Sequence, residues 1–321
     1  MAATGGTTGR STRTSVAVVL TLLIAVAASC ENTQPPKRPS VSNKLVEAGL
    51  ADHAKHPKLR IGVYVNQPLM GYVKAGMHRG FDPDLARYIA GSLGFIGNES
   101  IEWIAIHNTR DRIEYLQNGR VDLVFASFSI TKERQEQVLF AGPYFITDQR
   151  VMIRAPLIGK LATIEDMQSD AYKVCTSTGS TSERLLLQRN VHATPLDTVG
   201  ACVEGMIKGR FDAVSTDRTI LAGFVSQHPR QFEILDLNLA LSDAATEQLG
   251  VGVAKSNPAL RDLVNFFLRK SYRAQEAGDT TAWQVAYNNN LGPWYGAPPA
   301  RQPPLEAPDL VDFDEKAPRS P

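Results

Sequence analysis

Two stretches of this chain echo one another: LQNGRVDLVFASFSI at residues 116–130 and MIKGRFDAVSTDRTI at residues 206–220. Each closes a helical pattern, turns on Gly-Arg, keeps one apolar residue before an aspartate, and then runs a short apolar strand into hydroxyl side chains. A repeated αβ unit of this kind predicts two lobes of like construction, although so short an echo is also the ordinary ending of any αβ unit. Around it, the strand-like runs LRIGVYV, IEWIAI and VDLVFA alternate with helical patterns such as FDPDLARYIAGSLG, in which Asp82 is positioned to cap the helix. Such alternation implies an α/β fold with βαβ units and parallel sheets. In open α/β sheets ligands bind outside the carboxyl ends of the strands. Here those ends carry Ser127 and Ser129 in one copy and Thr216 and Asp217 in the other.

The flanks of this body differ from it. Arg10 and Arg13, with no acidic residue, precede the 14 residues VAVVLTLLIAVAAS, which are too few to span a hydrocarbon core of roughly 30 Å. A charged flank, a short apolar run and a small-residue end describe an export signal over residues 1–30. Cys30 closes VAASC, which resembles a bacterial lipoprotein box except that Ala27 stands where leucine is usual; an ordinary cleavage site beside an incidental cysteine is the alternative. Residues 31–57 read as a polar tether with room for a short helix near NKLVEAGLADHA, and residues 297–321 as a proline-rich mobile tail. Residues 58–148 with 252–296 are expected to form the first lobe and residues 149–251 the second, crossing near TDQRVMIRA and EQLGVGVAK. Beyond Cys30, only Cys175 and Cys202 remain, an even pair in an exported chain, so a disulfide is expected, with two separate buried thiols as the alternative.

A formal charge of +1 and no basic run exclude nucleic acid as a partner. SITK at residues 129–132 fits the first element of penicillin-recognising serine enzymes, but their other elements are missing, as are G-x-S-x-G and H-E-x-x-H. Neither a catalytic triad, a metal site nor a cofactor motif is suggested. Binding residues are more legible. In SFSITKER, Thr131 is a plausible helix cap, which puts Arg134 in a first turn where a cation opposes the helix dipole. A bound carboxylate explains it, with Ser127 and Ser129 adding hydroxyls; an exposed arginine paired to Glu133 is the plainer reading. STGSTSERLLL offers Gly179, Ser180 and Thr181 ahead of a helix, suited to an anion or equally to an ordinary cap with Glu183. Asp217 can receive an ammonium group or cap RTILAGFVSQ. Together a guanidinium with hydroxyls on one lobe and a carboxylate with a hydroxyl loop on the other match the charged ends of a free α-amino acid.

On GFDPDLA, LQNGRVDLVFASFSITKER, FAGPYF, STGSTSE, the two cysteines and DAVSTDRTILAG, the chain resembles the extracytoplasmic solute-binding proteins of polar amino-acid ABC transporters, most narrowly the actinobacterial glutamate/glutamine-binding lipoproteins. The likeness runs over about residues 60–292. It implies a type II periplasmic-binding-protein fold with two hinge segments, in a lipid-anchored monomer that binds glutamate, glutamine, aspartate or asparagine and delivers it to a permease. A sensor reporting to a membrane receptor or kinase, or a dehydratase on the same fold, are the alternatives. By the same likeness Ser127, Ser129 and Arg134 would hold the ligand carboxylate, Ser180 and Thr181 would assist, and Asp217 would take the ammonium. An aromatic ring that the family often places over the ligand is replaced here by NQPLMGY, leaving Tyr72 or Tyr64 as substitutes. Arg112 is a candidate for the ligand side chain or else a residue of a solvated helix face.

Overall fold

The computed structural model describes residues 38–237, 239, 246–295 and 300–313. Cys30 and the expected export signal lie outside the described residues. Thirteen strands are described: β1 (Leu59–Tyr64), β2 (Asn66–Gln67), β3 (Gly71–Lys74), β4 (Met77–Arg79), β5 (Ile101–Ile106), β6 (Leu123–Phe125), β7 (Leu139–Thr147), β8 (Gln149–Arg154), β9 (Val174–Ser177), β10 (Ala193–Leu196), β11 (Ala213–Asp217), β12 (Phe232–Leu235) and β13 (Glu247–Val253). The α-helices among them are α1 (Val41–Glu47), α2 (Phe81–Ser92), α3 (Asp111–Gln117), α4 (Lys132–Gln135), α5 (Ile164–Gln168), α6 (Thr181–Gln188), α7 (Val199–Ile207), α8 (Arg218–Gln227), α9 (Pro258–Glu276), α10 (Ala282–Asn290) and α11 (Gly292–Tyr295).

The strands build two five-stranded sheets on one plan. The first has the order β5-β1-β6-β13-β7 and the second β10-β9-β11-β8-β12. In each, three parallel strands lie beside two antiparallel ones. The first parallel strand of each lobe is flanked by the second on one side and the third on the other, so the order reverses there. That is where an open α/β sheet leaves a crevice at its strand ends. The sequence echo has a structural counterpart. Asp122 accepts the Arg60 N–H at 2.9 Å beside β1 and β6, and Asp212 accepts the Lys173 N–H at 2.9 Å beside β9 and β11. An aspartate after the Gly-Arg turn thus ties the third parallel strand to the first in both lobes.

Strand β13 pairs with β6 and β7 in the first sheet, so residues 247–251, expected in the second lobe, belong to the first. The crossings fall at Asp148, between β7 and β8, and ahead of Glu247. The chain then returns to the first lobe, where α9 packs on β7, β13 and α2. Trp283 of α10 is fully buried among Phe81, Phe145 and Tyr287 and donates its indole N–H to the Tyr144 carbonyl at 2.7 Å.

The short helix allowed for in the tether is present but packed into the body, and the expectation of a mobile tail is overturned for residues 300–313. Within the segment read as a tether, Ser40 caps α1, whose Val41 and Leu45 are buried against the core. Within the segment read as a mobile tail, residues 300–313 lie along α9. Arg269 donates to the carbonyls of Ala307 and Pro308 at 2.6 and 2.8 Å, Gln302 exchanges bonds with Ser271 and Leu268, and Leu310 is buried. Val311 forms a parallel bridge with Ser40, and the prolines leave carbonyls free to accept from arginine without donors that need partners. Cys175 and Cys202 are joined in a disulfide that links β9 to α7.

Candidate functional site

Strand β6 ends in a bend that aims its backbone at the crevice. Ser127 has φ 41°, a left-handed conformation that costs a non-glycine residue roughly 1–2 kcal/mol. Three neighbours hold it. Asp82 accepts its N–H at 2.9 Å, Gln67 accepts its hydroxyl at 3.0 Å, and Arg112 donates to the carbonyls of Ala126 and Ser127 at 3.2 and 3.0 Å. Asp82 therefore caps nothing. It lies inside the first turn of α2, behind an N-cap at Gly80, fully buried, with the Tyr144 hydroxyl donating to it at 2.8 Å. Burial pushes its carboxyl up to about 6 against the pull of those bonds.

Thr131 caps α4 by accepting the Arg134 N–H at 3.2 Å. The Arg134 side chain then turns back into the crevice, buried, with its guanidinium 5.3 Å from the Phe128 ring. It donates to the Ser129 carbonyl at 2.9 Å and across the crevice to the Gly179 carbonyl at 3.4 Å, and meets no carboxylate. Burial first, and the Arg112 charge second, press it down to about 9, so it remains charged at neutral pH. Arg112 is buried rather than solvated. It sits 4.6 Å from the Phe128 ring and 5.8 Å from that of Tyr64, three backbone carbonyls accept from its Nε and Nη1, and the residue lines the cavity.

The second lobe answers with a carboxyl group. Asp217 ends β11 at the N-cap position of α8 yet makes no cap bond with its side chain. Its buried carboxylate accepts from Gln149 Nε2, which also donates to the Thr181 hydroxyl at 3.1 Å, while the Ser182 hydroxyl donates to Gln149 Oε1. Burial, reinforced by the Glu247 charge, raises Asp217 to about 8 despite the nearby guanidiniums. Ser180 caps α6 by accepting the Glu183 N–H at 3.0 Å, and the Gly179 N–H donates to the Glu183 carboxylate at 2.6 Å. The plain capping role is thus met at that loop, while Ser180 and Thr181 also line the cavity.

Ser127, Ser129, Arg134, Arg112, Ser180, Thr181 and Asp217 all line one narrow cavity of about 30 Å3. Arg134 and Asp217 form no ion pair with each other; the buried Arg134 guanidinium and the buried Asp217 carboxyl, which keeps its proton at neutral pH, face the same space. Tyr72 is not among the lining residues. It pairs with Asn66 and Arg79 in the outer three-stranded sheet and faces separate surface depressions beside Pro68 and Met77. The tyrosine at the cavity is Tyr64, buried at the end of β1. Sequence reasoning also missed Gln149 and Gln67, which brace Asp217 and Ser127. Among the described residues no cluster of histidine, cysteine, aspartate or glutamate could hold a metal ion, and no helix is long and apolar enough to cross a membrane.

The model of the bacterial extracellular solute-binding proteins, family 3, matches residues 59–280, which contain both sheets and every residue of the cavity. The chain belongs to that family. Among its family 3 relatives, a glutamate-binding protein of Corynebacterium efficiens is 30% identical over 230 residues, covering 70% of this chain and 77% of that protein. A glutamine-binding protein of Geobacillus stearothermophilus is 26% identical over 75% of this chain and 91% of that one. A solved structure of an ancestral arginine-binding protein bound to glutamine superposes with a TM-score of 0.62 at 29% identity, covering 73% of this chain and 98% of that chain. The fold is the two-lobed type II arrangement of these binding proteins.

Proposed function

We propose that this chain is a receptor for a free polar amino acid, which it holds between its lobes and delivers to the permease of an ABC transporter. One observation carries the reading: the buried Arg134 guanidinium of the first lobe and the buried Asp217 carboxyl of the second share one cavity without an ion pair between them. A zwitterion satisfies both at once, its carboxylate on Arg134 with the Ser129 hydroxyl and its ammonium on Asp217. Each charge-assisted bond contributes roughly 1.5–3 kcal/mol. The buried guanidinium of Arg112 at the cavity wall supports a ligand whose side chain ends in a carboxylate or carboxamide, as do relatives named for glutamate and glutamine. Export and lipid attachment through Cys30 complete the reading, and the extracellular character of the family supports the first.

The test is a thermal-shift screen of the full chain against the twenty amino acids and small dicarboxylates. A ligand that binds the native state alone adds about 2.7 kcal/mol of stability at a hundred times its Kd. Glutamate, glutamine, aspartate or asparagine should raise the melting temperature by several degrees, and a screen in which none of the twenty does so rejects the proposal. Incorporation of labelled fatty acid, lost in Cys30→Ala, tests the anchor.

A further inference from the structure

Away from the cavity, the two lobes also meet along a seam on the outer side of β2. Gly223 lies in the middle of α8 in the second lobe, and Pro68 follows β2 in the first. A Cβ placed on Gly223 would fall 2.0 Å from the Pro68 carbonyl oxygen and 2.7 Å from its carbonyl carbon. Both are main-chain atoms, so no rotamer change can clear the space. Glycine at this position is not demanded by the helix, where it is less favourable than alanine. It is demanded by the neighbour. Gly200 of α7 approaches the same segment, its Cβ position lying 4.0 Å from the Asn66 carbonyl oxygen. Gln67, between Asn66 and Pro68, accepts the Ser127 hydroxyl at the cavity wall.

We propose that Gly223 is the seat on which the lobes close, a positioning residue that controls ligand affinity without touching ligand. This rests on the amino-acid-binding reading above. A methyl group there must move Pro68 and α8 apart by roughly 1 Å or more to restore ordinary contact. The bonds that cross the crevice mouth lie on the two lobes being separated. Arg134 reaches the Gly179 carbonyl at 3.4 Å, and Arg184 meets Glu133 at 3.1 Å. With the lobes held ajar, Arg134 and Asp217 no longer grip one ligand from two sides.

The experiment compares the wild-type chain, Gly223→Ala and Gly91→Ala. Gly91 is a glycine of α2 with nothing within 4 Å of its Cβ position, and so reports the effect of helix propensity alone. Calorimetry with glutamate and glutamine, the ligand-free melting temperature, and small-angle scattering with and without ligand are measured for each. Gly223→Ala should bind at least roughly tenfold more weakly, as expected for losing a charge-assisted contact. It should keep or raise its ligand-free melting temperature and fail to compact on adding ligand, while Gly91→Ala binds and compacts as wild type does. Equal affinity in Gly223→Ala overturns the inference with the binding function intact, as does wild-type binding without compaction. A ligand-free melting temperature of Gly223→Ala well below wild type also overturns it, because the seat would then belong to both states. A wild-type chain that binds none of the twenty amino acids overturns the inference and the proposed function together.

Discussion

Replacing Asp217 with asparagine should stabilise the empty protein and cripple the loaded one. Burial and the Glu247 charge hold the Asp217 carboxyl at about 8, against an ordinary value of 3.8. The folded state therefore keeps a proton that the unfolded chain gives up near pH 4. Stability falls as pH rises from about 4 to about 8, at up to 1.36 kcal/mol for each pH unit, and levels off above. Asparagine keeps the shape and can still accept from Gln149 without carrying that cost, so at pH 8 the ligand-free variant should gain stability of the order of a few kcal/mol and show little gain at pH 4. Ligand binding runs the other way. An ammonium group needs the ionised carboxylate, so wild-type binding at pH 7 should release close to one proton, and affinity should weaken toward tenfold per unit as pH falls below 8. The variant should bind roughly 10- to 150-fold more weakly at pH 9 through loss of one charge-assisted bond, and the gap should narrow at pH 6. Calorimetry in buffers of different ionisation enthalpy reads the proton count directly. Wild-type binding with no proton release and a flat Kd between pH 6 and 9 would refute the assignment of Asp217 to the ammonium.

Arg134→Ala should raise Kd about 100-fold or more by removing a bidentate carboxylate partner, with the ligand-free melting temperature held near wild type; a calorimetric titration with unchanged Kd would count against it. Cys175→Ser with Cys202→Ser opens a loop of sequence separation 27 and should cost about 3–4 kcal/mol on the chain-entropy model, lowering the melting temperature by roughly 10 °C in a denaturation scan. A chain ending at residue 299 loses the buried Leu310 and the Arg269 and Ser271 bonds, and should melt earlier and expose α9 to limited proteolysis, with about 2–4 kcal/mol at stake. An unchanged melting curve would show that residues 300–313 contribute no net stability.

What could be read from sequence was whatever local rules govern. The αβ alternation and the Gly-Arg-x-Asp echo located the third parallel strand of each lobe, because a turn glycine and the aspartate beyond it act within a few residues. Arg134 stood out because a cation in a first turn violates the dipole preference, and such violations point to a ligand or a strained site. The cysteines stood out by arithmetic. Asp82 did not, since an aspartate before a proline at a helix start has the same local signature whether it caps the helix or is buried beneath Ser127. Tyr64 and Tyr72 could not be separated, because only the three-stranded sheet that follows β1 carries Tyr72 away from the cavity. Gln149 follows the first crossing and carries no signal at all; only the approach of β8 to β11 places it against Asp217. The tail misled because proline-rich composition describes poor self-folding, whereas residues 300–313 gain their order from arginine and serine side chains of a helix laid down earlier in the chain.

The pairing of Ser40 with Val311 puts the way in and the way out of the described body side by side on the first lobe. Any leash attached upstream of Ser40 would therefore pull on the lobe that carries Arg134, and on the proposed binding mode Asp217 would ride on the lobe free to swing. A docked molecule would keep its carboxylate-gripping half stationary against whatever surface it is moored to, and release of cargo would reduce to the departure of a single arm.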